Sequence, residues 1–148
     1  MMTLSPLALT DSMVPMPDRP IYTPEQANEL LPWLTERLGE LLKLATSLRA
    51  AQNKVQTLTE RSRGNGHHDI GSEMSTAEQE AASLMRNVRE LLNEITERSI
   101  QVRDVAIGLV DFPGERDSAP VWLCWKVGER AVEHWHQFDQ GYSDRKPL

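Results

Sequence analysis

The sequence predicts an α+β protein: a long antiparallel helix hairpin of coiled-coil character over residues 23–98, followed by a three-stranded antiparallel β-meander over residues 100–148 packed against it. Three observations predict this. Apolar residues recur at alternating spacings of four and three in two separate segments, the period of helices wound along each other. A glycine-rich stretch, GNGHHDIGS (Gly64–Ser72), lies between those segments and is expected to reverse the chain. From Ile100 onward that period stops, Val, Ile and Trp rise, and Pro and Gly punctuate short apolar runs, which is the texture of strands.

The elements follow in order. Residues 1–20 carry four prolines and no periodic pattern, so they are expected to form a flexible tail outside a single domain spanning 21–148. At TPEQ, Thr23 is suited to be an N-cap, Pro24 to the first helical position, and Gln26 to completing a capping box. The seam then runs Ala27, Leu31, Leu34, Leu38, Leu41, Ala45, Leu48, with Val55 and Leu58 continuing it. Pro32 deletes the bond to the carbonyl of Asn28 and should kink the helix or split off its first segment. Ser75 and Glu78 form a second capping box, and Ala77, Ala81, Leu84, Val88, Leu91 and Ile95 repeat the spacing. Two matching seams joined by a short loop bury each other as an antiparallel pair. Leu30, Leu42, Met85 and Leu92 lie off the seam and widen the apolar stripe beyond what one partner helix covers. The strands expected are Val102–Phe112, Val121–Val127 and Ala131–His136, joined by PGERDSAP and GER.

Composition narrows the function classes. A formal charge of -6, with basic and acidic residues interleaved, speaks against non-specific nucleic-acid binding, which needs clustered cations to displace counterions from phosphates. A single cysteine rules out an intramolecular disulfide and fits a reducing compartment. No run reaches the roughly 18 apolar residues of a membrane span. A cytoplasmic protein is expected.

The chemistry-bearing residues gather in CWKVGERAVEHWH, Cys124–His136. His134 and His136 are two apart on a strand, so both imidazoles point to one face. Cys124 would add a thiolate from the neighbouring strand, and Asp111 or Asp139 a fourth ligand or an orienting carboxylate, a set that suits zinc. Everything depends on hairpin register. A two-residue GE loop pairs Val127 with Arg130 and puts Cys124 on the face opposite the histidines. A three-residue GER loop sets Cys124 across from His134 and His136 across from Trp122. The second register is preferred, because it gathers Val121, Leu123, Trp125, Val127, Ala131 and Trp135 into one apolar face. The competing reading is plain structure, since a strand cysteine is commonly a small buried hydrophobe.

Three other features have bland readings. DFPG (Asp111–Gly114) is expected to be a turn that ends its strand, and His67–Asp69 a hydrophilic loop. Arg145 could hold a carboxylate or phosphate bidentately, or anchor the tail on Asp139 or Glu133.

GLVDFPG, LCWKVGE, the WH pair and the closing GYSDRKPL, together with YTPEQANELLPWL (Tyr22–Leu34), resemble the bacterial domain-of-unknown-function family 2203. The resemblance implies a domain over most of residues 21–148 and, as the family carries no activity, assigns no catalytic residue. The function expected is therefore that of a non-catalytic interaction protein, self-associating or binding a protein partner. The alternative is a zinc-type metal site, hydrolytic in character, on the C-terminal sheet.

Overall fold

The computed structural model describes residues 21–65 and 70–148. The expected tail at 1–20 and the His67–Asp69 group lie outside the described residues. Helices α1 (Pro24–Glu29), α2 (Leu31–Asn65) and α3 (Gly71–Thr96) are followed by strands β1 (Gln101–Asp104), β2 (Leu109–Arg116), β3 (Ala119–Lys126), β4 (His134–His136) and β5 (Lys146–Pro147). The class is α+β, with a long helix pair and one antiparallel sheet in the order β1-β2-β3-β4-β5. Among the described residues the sheet has five strands where three were expected.

Contacts group the chain into two units: the residues through Glu36 together with Ile95–Leu148, and Arg37–Glu94. In the second unit, α2 and α3 pack together along their seams. Leu38, Leu41, Ala51, Leu58, Ala77 and Leu91 are buried, and an Arg37 Nε–Glu94 Oε1 pair of 3.3 Å spans the helices at the end away from the reversal. Near the reversal, Leu58, Ile70 and Ala77 form a cluster with Val55 and Met74. Burying Ile70 explains why α3 begins at Gly71: its first turn closes on the Ile70 carbonyl, which accepts from Met74 N at 2.7 Å. Ser75 and Glu78 therefore lie inside the helix, and the expected capping box is corrected by one turn. Gly64 likewise stays helical at the end of α2.

In the first unit the capping box at α1 is as expected, with Thr23 Oγ1 accepting from Gln26 N at 3.1 Å and Gln26 Oε1 accepting from Thr23 N at 3.0 Å. The helix breaks at Leu30, between α1 and α2, two residues before Pro32, which has no amide to offer the Asn28 carbonyl. The chain tightens there, Leu30 N donating to the Ala27 carbonyl at 3.0 Å, and the Asn28 side chain accepts from Val132 N at 2.7 Å. Tyr22 forms a parallel bridge to Gly114 and sets its ring edge-on to Phe112 at 5.4 Å.

The run Val102–Phe112 is two strands and a turn. Asp104 Oδ1 accepts from Ala106 N at 2.9 Å, and Gly108 takes a positive φ of 65°. A Cβ on Gly108 would come within 2.4 Å of Val127 Cγ2. DFPG is strand, not turn: β2 continues through it to Arg116. The Pro113 carbonyl accepts from Tyr22 N at 2.8 Å, so the amide that proline lacks faces that outer side and costs no bond to β3. PGERDSAP, expected as a loop, is two paired strands joined at Asp117 and Ser118, both with positive φ (54° and 67°), as in a two-residue primed hairpin turn.

Both faces of β3 are buried, Val121 through Trp125 being at most 3% exposed. Val110, Phe112, Leu123 and Trp125 share one face; Asp111, Trp122, Cys124, His134 and His136 share the other. The chain beyond β4 covers that second face. Phe138 stacks on Trp122 at 4.7 Å, and Arg145 reaches in toward Cys124. Among the described residues, no helix is long and apolar enough to cross a membrane.

Candidate functional site

Three adjacent strands supply one buried group. β2 brings Asp111, β3 brings its cross-strand partner Cys124, and β4 brings His136 opposite Trp122. The register puts Cys124 across from His134, as in the three-residue alternative. The connection is longer than GER, however, because β4 begins only at His134. Gly128, at φ 104°, and Glu129 form part of that connection. The Glu129 carbonyl accepts from Trp125 Nε1 at 3.1 Å, and its carboxylate accepts from Lys126 N at 3.1 Å.

Asp111, Cys124 and His136 are 2%, 1% and 1% exposed, and their ligand-type atoms all lie within 4.8 Å of one another. His136 Nδ1 donates to the Gln137 carbonyl at 2.8 Å, because a carbonyl can only accept. Nε2 faces both Asp111 oxygens at 3.1 Å. Burial works against a charged imidazole here, but hydrogen bonds to Asp111, Cys124 and the Gln137 carbonyl, and the Asp111 charge, outweigh it and push the His136 pKa up to about 10. Arg103 Nε donates to Asp111 Oδ2 at 2.9 Å, and its guanidinium lies 5.0 Å from the Trp122 ring.

Arg145 does not pair with Asp139 or Glu133. It forms a two-pronged ion pair with Glu129, with Nη1 3.1 Å from Oε1 and Nη2 against Oε2, and its Nη1 also lies 3.8 Å from Cys124 Sγ. Its guanidinium sits 4.4 Å from the Tyr142 ring. Arg145 is thus an internal anchor of the C-terminal segment.

Of the five candidate ligands, Asp111, Cys124 and His136 come together. His134 shares their face and is half-buried, with a buried Nδ1 that has no hydrogen-bond partner among the described residues. Asp139 is exposed and lines a different hollow of about 610 Å³ with Arg116, Trp135 and Phe138. Arg103 and Glu129 were not foreseen. Glu129 had a signal in its place within the GER loop, whereas Arg103 reaches Asp111 through a register shift in β1 that leaves no mark in the sequence.

The group is not a nucleophilic triad. That arrangement needs the carboxylate on one imidazole nitrogen and the nucleophile on the other, whereas here Asp111 occupies Nε2 and a backbone carbonyl holds Nδ1, so neither nitrogen is left to take a proton from Cys124. A sulfur 1% exposed also offers no surface to a substrate.

The helix pair of Arg37–Glu94 offers a second candidate surface. Between its buried ends, Leu44, Leu48, Leu84, Met85 and Val88 are only half-buried, and Leu42 is 41% exposed. A groove of about 510 Å³ beside them is lined by Glu40, Leu44, Asn87 and Glu90 among others.

No curated protein and no solved structure matches the chain. A family model does, described as Uncharacterized conserved protein (DUF2203), over residues 20–148. With the match covering nearly all of its length, the chain belongs to the uncharacterised family DUF2203.

Proposed function

We propose that this chain is a non-catalytic cytoplasmic protein that self-associates through its helix pair, the Arg37–Glu94 hairpin of one copy packing on that of a second. The observation that carries this reading is the half-buried leucine stripe. Two helices alone bury only the inner strip of a seam, and the apolar positions flanking it gain most by meeting further helices.

Size and charge support the same reading. Residues 37–65 rise roughly 42 Å along the axis, and two helices side by side are about 20 Å across, so one face offers on the order of 800 Å², the area each partner contributes to a standard interface. Within Arg37–Asn65 there are six cations against two carboxylates; within Gly71–Glu94, five carboxylates against two arginines. Setting α2 of one copy beside α3 of the other continues the alternation of charge round a four-helix arrangement. The free buried cysteine suits a reducing cytoplasm, and the acidic balance leaves nucleic acid outside the reading.

The test is sedimentation velocity on the full chain with Leu42→Glu as comparison. Leu42 is exposed enough for its replacement to leave the fold intact. A dimer or higher oligomer that the substitution dissociates is the expected result. A wild-type monomer at tens of micromolar, or an oligomer indifferent to Leu42→Glu, would show the reading to be wrong.

A further inference from the structure

We propose that Asp111, Cys124 and His136, joined by His134, bind a zinc-type divalent cation on the covered face of the sheet. This inference is independent of the helix pair.

Three ligand types converge from three neighbouring strands, each almost wholly buried and with their donor atoms inside a 4.8 Å circle. A mixed set of nitrogen, sulfur and carboxylate oxygen is the choice of a borderline-soft cation with tetrahedral preference, and zinc fits it better than magnesium or calcium, which take oxygen. His136 is held as ligating imidazoles are held: Nδ1 is fixed on the Gln137 carbonyl, and Nε2 is left facing the group. Arg103 on Asp111 Oδ2 orients that carboxylate from outside, while both of its oxygens stay 3.1 Å from His136 Nε2 and Oδ1 carries no bond to the guanidinium.

The fourth position has a second, separate observation. His134 lies directly across from Cys124 on the same face, and its buried Nδ1 has no partner among the described residues. A buried ring nitrogen left bare is costly, and a metal bond would satisfy it. His134 stands outside the 4.8 Å group, so its ring must turn about its side-chain torsions to complete the shell.

Charge balances. An Asp111 carboxylate and a Cys124 thiolate offset the two charges of the cation, with both imidazoles neutral at the ligating nitrogen. The proton on His136 Nε2 and the thiol proton pass to solvent as the metal enters, two protons released per metal bound.

The experiment uses the full chain without a histidine tag. Metal content is measured after expression with added zinc, and the protein stripped with a chelator is then titrated with Co²⁺. The expected result is one zinc per chain and, with cobalt, a sulfur-to-metal charge-transfer band with the intense visible bands of tetrahedral coordination. Cys124→Ser should abolish the charge-transfer band, and His134→Ala should weaken cobalt binding at least about tenfold while keeping that band. If Cys124→Ser does not fold, the wild-type spectrum decides. A wild-type protein that retains no zinc and shows no thiolate band with cobalt overturns the proposal, as does a band that survives Cys124→Ser. Unchanged affinity in His134→Ala overturns the assignment of the fourth ligand.

Discussion

Replacing Arg145 by methionine keeps most of the apolar stem and removes the charge and all donors. Arg145 and Glu129 have side chains only 14% and 19% exposed, so water compensates little for the loss. Glu129 would retain the Lys126 amide at 3.1 Å and lose both guanidinium contacts. Hydrogen bonds between charged groups are worth about 1.5–3 kcal/mol each, and an uncompensated, mostly buried carboxylate carries a similar penalty, so Arg145→Met should cost about 3 kcal/mol near neutral pH. Burial alone would raise the Glu129 carboxyl, but the Arg145 hydrogen bonds, the Lys126 amide and the charges of Arg145 and His134 hold it below 4.5. A carboxyl whose folded pKa is depressed contributes stability that is complete above the unfolded value of 4.5 and is lost as pH falls through the lower folded one. Urea unfolding at constant oligomeric state should therefore show the gap between wild type and variant at its widest near pH 7 and narrowing steadily below pH 4.5. A gap under about 0.5 kcal/mol at neutral pH, as for an exposed ion pair, would refute the reasoning. So would a gap of constant size down to strong acid.

Two further outcomes follow from the same structure. Ser118→Gly relieves a positive φ at the second residue of the β2–β3 turn and should stabilise the protein by about 0.5–1 kcal/mol, read as a higher denaturant midpoint with an unchanged slope. Asn28→Ala removes the acceptor of the Val132 amide and should cost about 1–3 kcal/mol, with hydrogen exchange at that amide accelerating relative to its neighbours; unchanged protection there would contradict the 2.7 Å bond.

Local patterns in the chain determined what depends on near neighbours. The Thr23 capping box, the split ahead of Pro32, and the seams from Leu38 to Leu58 and Ala77 to Ile95 all follow from contacts within a few residues or from helical period, and the structure has them. The partnership of Cys124 with His134 was also reachable, because side chains alternate along strands and only one register gathers Trp125 and Trp135 on a common face. What escaped depends on pieces far apart in the chain. Pro113 and Gly114 read as a stop, yet they stay in β2 because Tyr22 docks on the side where Pro113 lacks its amide. Ser75 reads as a cap, yet burial of Ile70 against Leu58 draws the start of α3 back to Gly71. Of the two aspartates available to the histidines, Asp111 joins His136 and Asp139 does not. That choice was made by the pairing of β2 with β3 and by the fold-back of Phe138 and Arg145 over Trp122 and Cys124, which turns one face of the sheet into an interior. Period and capping act over one or two turns; which groups meet inside the sheet is decided by long-range pairing and by what is left to cover it.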